Sequence, residues 1–204
     1  RMLRALRFAA KLGFAIDPPT LGAMRACAPL AATLSAERVA AELRGILASP
    51  RPDAVWQAVD MGLMRRFLRP GAGPRHALAP LPHYARLPRL CADLEAGGYI
   101  MSTESFLRGL RLPARVISSG SSAAEILLSG SRDYKRLLHR YGRGAVLAAY
   151  PKSRELRRIL RSGECWSREQ LKISGAELRA AGFEGAGIRD ALEALLRHVM
   201  ERPE

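Results

Sequence analysis

The chain has 204 residues, 48% of them hydrophobic, so it is long enough to bury one or two cores and too apolar to be disordered. It carries 33 lysine and arginine residues against 19 aspartate and glutamate residues, and its net charge of +14 favours a polyanionic partner. The separated cysteines Cys27, Cys91 and Cys165 fit no disulfide framework or metal site, and no apolar run reaches the ~18 residues of a membrane span, so we expect a soluble cytoplasmic protein with free thiols.

Helical periodicity dominates the chain. Leucine and alanine recur at spacings of three and four, and no long alternating β pattern occurs, so the sequence predicts an all-α fold. Asp17 and Ser35 are typical of helix starts, and Gly13, Gly62 and Gly142 are typical of helix ends. The predicted helices span residues 2–12, 18–27, 35–48, 52–61, 84–96, 103–110, 114–128, 132–141, 144–150, 153–161, 175–181 and 186–200.

The first predicted helix combines an apolar side with a row of cations. Arg4, Arg7 and Lys11 fall three and four residues apart on one side, while Leu3 and Leu6 mark another. Cations in the first turns of a helix oppose its dipole. The row is therefore either a solvated basic face or a surface for an anionic group such as carboxylate, phosphate or a base edge.

This first segment resembles the neck of the class II tRNA nucleotidyltransferases, which comprise the CCA-adding enzymes and the similar bacterial poly(A) polymerases. In that family the segment reads E-D-x-x-R, two apolar residues, then R-A-x-R-F-x-x-x-L-G-F. Arg1 takes the place of the first arginine, and the second half of the motif is matched by Arg4, Ala5, Arg7, Phe8, Leu12, Gly13 and Phe14. The family's next element, E-R-x-x-x-E, occurs from Glu37 to Glu42.

The resemblance implies an all-α neck, body and tail, which we place at residues 1–69, 70–162 and 163–204. It further implies that the intact enzyme adds CMP and AMP, from CTP and ATP, to tRNA 3′ ends. In that family Mg²⁺ is held by paired aspartates in an N-terminal head. Those aspartates would lie before residue 1, so we expect no catalytic or metal-binding residue in this chain and no activity from it alone.

Two alternative functions stay open at this point. One is a fragment of a bacterial poly(A) polymerase, which shares the neck, and the choice of an intact enzyme between CTP and ATP would separate the two. The other alternative is a non-catalytic RNA-binding module that keeps the neck helix only for packing.

The neck contains two pairs of candidate residues. The resemblance assigns Arg1 to the Watson–Crick edge of the incoming nucleotide, a role that the paired donors of a guanidinium can perform, and we place Arg4 in the same nucleotide-binding set. Arg38 and Glu42 are one helical turn apart, and the resemblance gives their motif a role in supporting the neck helices. The alternative is an exposed ion pair of little energetic weight.

Two glycine-containing segments divide the chain further. The stretch from Pro70 to Pro74 predicts a loop between neck and body, and residues 161–164 predict a break between body and tail. The segment from Ser118 to Ser122 is typical of a linker, but its apolar flanks favour a helix-to-helix turn to the same extent.

Candidate RNA-binding residues lie in the C-terminal third. Lys152, Arg154, Arg157 and Arg158 form a basic row that we predict to contact the RNA backbone, with a solvated face as the alternative. Gly185 and Gly187 precede the last predicted helix, where phosphate can approach backbone N–H groups at the positive helix end. This turn resembles a helix–hairpin–helix element. The alternative is an ordinary tight turn.

Overall fold

The computed structural model describes residues 1–201, which form helices and loops without a strand, so the predicted all-α fold is confirmed. Short 3₁₀ turns lie at Ala28–Thr33, Pro52–Ala54 and Arg168–Gln170. The α-helices are α1 (Met2–Leu12), α2 (Pro18–Ala26), α3 (Ala36–Leu47), α4 (Val55–Asp60), α5 (His83–Ala96), α6 (Thr103–Gly109), α7 (Ala114–Ser129), α8 (Tyr134–Ala149), α9 (Arg154–Ser162), α10 (Gly175–Ala180) and α11 (Ala186–Glu201).

The chain folds into two compact units, Arg1–Gly130 and a second unit that begins at Ser131. In the first unit α1 packs on α3, and α7 packs on both α5 and α6. Large side chains such as Leu6, Leu43 and Leu90 are fully buried in its core. The neck, body and tail boundaries after residues 69 and 162 stay predictions.

The serine-rich segment from Ser118 to Ser122 lies inside α7, so the predicted helix over residues 114–128 is confirmed, and the interpretations of the segment as a linker or a helix-to-helix turn were wrong. Half-buried Val116 and Ile117 before the segment and buried Ala123 and Ala124 after it keep the helical period. Gly120 is itself buried, and a Cβ there would lie 2.9 Å from Leu107 Cδ1. The glycine is therefore a contact point for α6 rather than a hinge.

Three carboxylates hold the long irregular segment between α4 and α5. Asp60 accepts two hydrogen bonds from the Arg75 guanidinium, at 2.5 and 3.0 Å. Asp93 is buried and accepts from the His76 backbone N–H at 2.8 Å, while its other oxygen lies 2.7 Å from His76 Nδ1. Asp53 accepts from two further backbone N–H groups of the segment, at 2.7 and 3.0 Å. The segment is thus ordered by side-chain acceptors where a helix would use its own carbonyls.

A buried arginine joins the end of α3 to the start of α5. Arg86 Nη1 donates to the carbonyl oxygens of Leu47, at 2.6 Å, and Ser49, at 3.0 Å. Its Nε donates to the Leu81 carbonyl at 2.9 Å. Carbonyls at a helix C-terminus carry partial negative charge, so they stabilise this buried cation without a carboxylate.

The same irregular segment approaches the turn after α5 closely. The Arg69 N–H donates to the Tyr99 carbonyl at 2.8 Å, and the Ala72 N–H donates to the Gly97 carbonyl at 3.0 Å. A Cβ on Gly73 would lie 2.4 Å from Gly97 Cα. Only a residue without a side chain allows the two backbones to lie this close.

We expect Gly73→Ala to lower the free energy of unfolding by about 1–3 kcal/mol, because backbone atoms on both sides cannot rotate away from the new methyl group. Gly22→Ala is the matched control. Gly22 is an exposed helical glycine, and a Cβ there would have no atom within 4 Å, so alanine should stabilise by about 0.4–1 kcal/mol. Urea unfolding of the two variants measures both values, and an equally stable Gly73→Ala variant would contradict the close approach.

The second unit is built around α8 and α9. Helix α8 breaks at Gly142, whose φ of 76° and ψ of 164° are not helical, so the two helices predicted at 132–141 and 144–150 meet at this glycine. Tyr134 is buried and makes an edge-to-face contact with Tyr150, with ring centroids 5.6 Å apart. Leu138 and Leu156 are fully buried beside them. Throughout residues 1–201, no helix has both the length and the apolar character to cross a lipid bilayer.

Candidate nucleic-acid interface

The predicted nucleotide-binding residues lie at the start of α1. Arg1 is the N-cap of the helix and Arg4 lies one turn later, and both are exposed. The Arg4 guanidinium carbon lies 5.3 Å from the centre of the Phe8 ring. Within residues 1–201, neither arginine side chain has an ion pair or hydrogen bond. Their role in nucleotide binding stays a prediction.

Glu42 forms its ion pair with Arg7 of α1, so the alternative of an exposed ion pair between Arg38 and Glu42 was wrong. Arg7 Nε lies 2.6 Å from Glu42 Oε2, and both side chains are largely shielded from solvent. Arg38 is exposed, and its backbone N–H donates to Ser35 Oγ at 3.3 Å. Because α1 packs against α3, Arg7 reaches Glu42 from the facing helix, whereas an arginine that precedes glutamate by four residues is poorly placed for pairing.

A glycine in α3 makes room for Arg7. A Cβ on Gly45 would lie 2.2 Å from Arg7 Cδ, so the aliphatic part of the arginine lies directly across this glycine. The guanidinium carbon of Arg7 also lies 4.3 Å from the centre of the Phe8 ring. Arg7 is therefore held by the carboxylate, the helix surface beneath it and the aromatic ring together.

We expect a double-mutant cycle of Arg7→Ala and Glu42→Ala to give a coupling energy of about 1 kcal/mol, because the pair is partly buried and charge-assisted. The control cycle of Arg38→Ala and Glu42→Ala should give a coupling near zero. Chemical unfolding of the variants measures both cycles. A larger coupling for Arg38 than for Arg7 would contradict the ion pair between α1 and α3.

Helix α9 presents the predicted basic row as one continuous face. Ser153 caps the helix by accepting from the Leu156 N–H at 3.1 Å, and Leu156 and Ile159 are buried. The opposite side carries arginines at spacings that bring them onto one face. With Ser162, these arginines line an open groove of about 480 Å³; they are Arg154, Arg157, Arg158 and Arg161.

The arginines of α9 differ in their partners. Arg158 Nη1 lies 3.2 Å from Glu164, whose carboxylate also lies 2.8 Å from Lys135 Nζ. The hydrogen bond from Lys135 is the main cause that holds the pKa of Glu164 below its ordinary value. Arg157 Nη2 donates to the Pro151 carbonyl at 2.8 Å. In the described part of the chain, the Arg154 and Arg161 side chains have no partner, so these two are the most available for phosphate.

The remaining predicted RNA-binding residues differ in how accessible they are to a phosphate group. Lys152 is exposed in the turn before α9. Gly185 has a φ of 50° and directly precedes α11. The Gly187 N–H donates to the Glu184 carbonyl at 2.9 Å, so it is not free for a phosphate. The prediction of phosphate binding at this turn therefore rests on Gly185.

A second group of arginines was not singled out from the sequence. Arg65, Arg69 and Arg75 line a cavity of about 550 Å³ beside α4. Nothing in their spacing indicates a shared site, because their arrangement depends on the irregular segment that follows α4. Across residues 1–201, no three His, Cys, Asp or Glu side chains come together in a way that could hold a metal ion.

Comparisons with known proteins find similar sequences among tRNA nucleotidyltransferases. Residues 13–73 match the family described as "Probable RNA and SrmB-binding site of polymerase A". A CCA-adding enzyme of Geobacillus kaustophilus is 28% identical over 98% of this chain and 55% of its own length. A CC-adding tRNA nucleotidyltransferase of Synechocystis is 48% identical over 28% of this chain and 15% of its own length. The chain thus spans little more than half the length of the first of these relatives.

A solved structure shares the fold. The crystal structure of the Bacillus stearothermophilus CCA-adding enzyme in complex with CTP matches 98% of this chain and 56% of that chain, with a TM-score of 0.72 and 24% identity. The matched region is all-α, like the described part of this chain. The sequence matches and the shared fold together support the class II CCA-adding enzyme family, and this chain is similar to the C-terminal portion of its members.

Proposed function

We propose that this chain is the tRNA-binding and nucleotide-selecting C-terminal portion of an enzyme that adds CMP and AMP, from CTP and ATP, to tRNA 3′ ends. The observation that carries the proposal is the 28% identity to a CCA-adding enzyme over 98% of the chain. The net charge of +14 and the arginine face of α9 support an RNA partner. Nucleotidyl transfer itself would need Mg²⁺-binding carboxylates, which the family resemblance places in a head outside these residues.

The two exposed arginines at the start of α1 are the proposed nucleotide-selecting groups. A guanidinium offers paired donors to base acceptors, so it distinguishes bases by the acceptors on their Watson–Crick edges. The Arg7–Glu42 ion pair fixes the same helix against α3. We propose that Glu42 supports selection by holding α1 in place, whereas Arg38, on the exposed side of α3, has no direct part in this support.

In a full-length enzyme that contains this chain, Arg1→Ala should reduce the preference for CTP and ATP over UTP by about tenfold or more, since base-edge donors are lost while triphosphate contacts remain. Relative kcat/KM values for the three nucleotides measure the effect. Arg25→Ala, at an exposed position on α2, is the control and should leave the ratios unchanged. An equal loss for all three nucleotides would contradict selection by Arg1.

The α9 face is the proposed contact with the RNA backbone. Changing Arg154 and Arg161 to alanine together should flatten the slope of log affinity for tRNA against log salt by about two units. Each phosphate contact that is lost means that about one counterion fewer is released when the tRNA binds. Changing Arg25 and Arg115 to alanine removes the same charge from exposed sites and is the control. Filter binding or fluorescence anisotropy over a salt series measures the slopes. Equal slopes in the two double variants would show that the α9 arginines act only through the net charge of the protein and do not contact phosphates.

A poly(A) polymerase is the second candidate, favoured by the family description that names polymerase A for residues 13–73. The two candidates differ in their products. A CCA-adding enzyme stops after a defined short addition to tRNA, whereas a poly(A) polymerase extends RNA with many adenylates from ATP alone. The length of the product that the unmutated full-length enzyme makes with ATP therefore separates them.

A further inference from the structure

One wall of the cavity beside α4 consists of side chains and backbone that are held in place by several contacts. The Arg75 guanidinium is fixed by Asp60, donates to Tyr99 Oη at 3.2 Å, and lies 5.0 Å from the centre of the Trp56 ring. The close backbone approach at Gly71 adds to this wall, since a Cβ there would lie 2.5 Å from the Gly97 carbonyl oxygen. Arg75 is therefore a structural part of the cavity, and its charge is already compensated.

Two other cations of the lining have no such compensation. Arg65 Nε donates to the Gly62 carbonyl at 3.2 Å, and Arg69 Nη2 contacts Met101 Sδ at 3.0 Å. In the portion of the chain that the structure describes, no carboxylate lies within ion-pair distance of either guanidinium. The lining contains a single carboxylate, Asp60, which is bound to Arg75. The cavity therefore carries an excess of positive charge.

The rest of the lining is apolar. Met61 and Met64 are buried beneath the cavity, and Val59 and Leu68 are half-buried beside them. A small anion such as free phosphate would leave this part of the cavity without a partner. The volume of about 550 Å³ falls in the range of small-molecule sites, about 300–1,000 Å³. A ligand that fits both parts combines an anionic group with a flat, weakly polar body.

We propose that this cavity binds one nucleoside 5′-phosphate unit, with its phosphate on Arg65 and Arg69 and its base against Met61, Met64 and Leu68. Arginine forks match phosphate oxygens, and methionine adapts its shape to aromatic rings. The unit is either a free nucleotide or one nucleotide of an RNA strand. The lining includes neither Arg1 nor Arg4, so the site is separate from the proposed nucleotide-selecting residues and does not depend on their role.

Methyl NMR of the 204-residue chain tests the site without any activity measurement. The sequence has six methionines, of which Met61 and Met64 line the cavity and Met24 and Met200 do not. Titration with CMP or AMP, or with a short single-stranded RNA, should shift the Met61 and Met64 methyl signals and leave those of Met24 and Met200 unchanged. Shifts with the mononucleotides identify a free-nucleotide site, and shifts with RNA alone identify a site for one unit of a strand.

Changing Arg65 and Arg69 to alanine together should weaken this binding by about tenfold or more, because two charge-assisted contacts to phosphate are lost. The Arg25 and Arg115 double alanine variant removes the same charge and should bind like the unmutated chain. Equal weakening in both double variants would overturn the proposal, as would unshifted Met61 and Met64 signals with every nucleotide and RNA. Equal shifts with inorganic tripolyphosphate would also overturn it, since the base would then have no part in binding.

Discussion

Nineteen carboxylates must hold together a chain that carries 33 lysine and arginine side chains, and the positions of those carboxylates organise the structure. Glu42 joins α1 to α3 through Arg7. Asp60 and Asp93 order the segment between α4 and α5, and Glu164 joins α8 to the turn after α9 through Lys135. Each of these acids either connects two helices or orders an irregular segment through charge-assisted contacts.

Because the cations outnumber the acids, some of them have no acidic partner. Arg86 shows how the fold manages a buried cation without a carboxylate, since it uses carbonyl oxygens at the end of α3. Arg154 and Arg161 on α9, and Arg65 and Arg69 at the cavity beside α4, have no carboxylate partner among the described residues. Within each of these two groups, repulsion between neighbouring cations disfavours the compact state slightly, and a bound polyanion would relieve it. The distribution of charge thus links stability to the proposed RNA partner.

Sequence reasoning succeeded where the determinants are local. Helix positions follow from periodicity and caps, and Asp17 and Ser35 cap the helices at the predicted starts. It failed where distant segments decide the outcome. The sequence showed the spacing of Arg38 and Glu42, but the partner of Glu42 lies 35 residues away on another helix. The linker and turn interpretations of Ser118–Ser122 also failed, although the predicted helix over residues 114–128 runs through this segment and packs on α5 and α6.

The cavity beside α4 escaped prediction for the same reason, since backbone contacts between distant glycines form its wall. The two family motifs, in contrast, are seen to contact each other only in the structure. Arg4 and Arg7 both face the ring of Phe8, at 5.3 and 4.3 Å, and Glu42 fixes Arg7. The second motif therefore acts on the first through one ion pair and one aromatic ring. These contacts restrict the movement of the Arg4 side chain and of helix α1. A site that selects among bases depends on such restriction, because a displacement of about 1 Å is enough to misalign hydrogen-bond donors and acceptors.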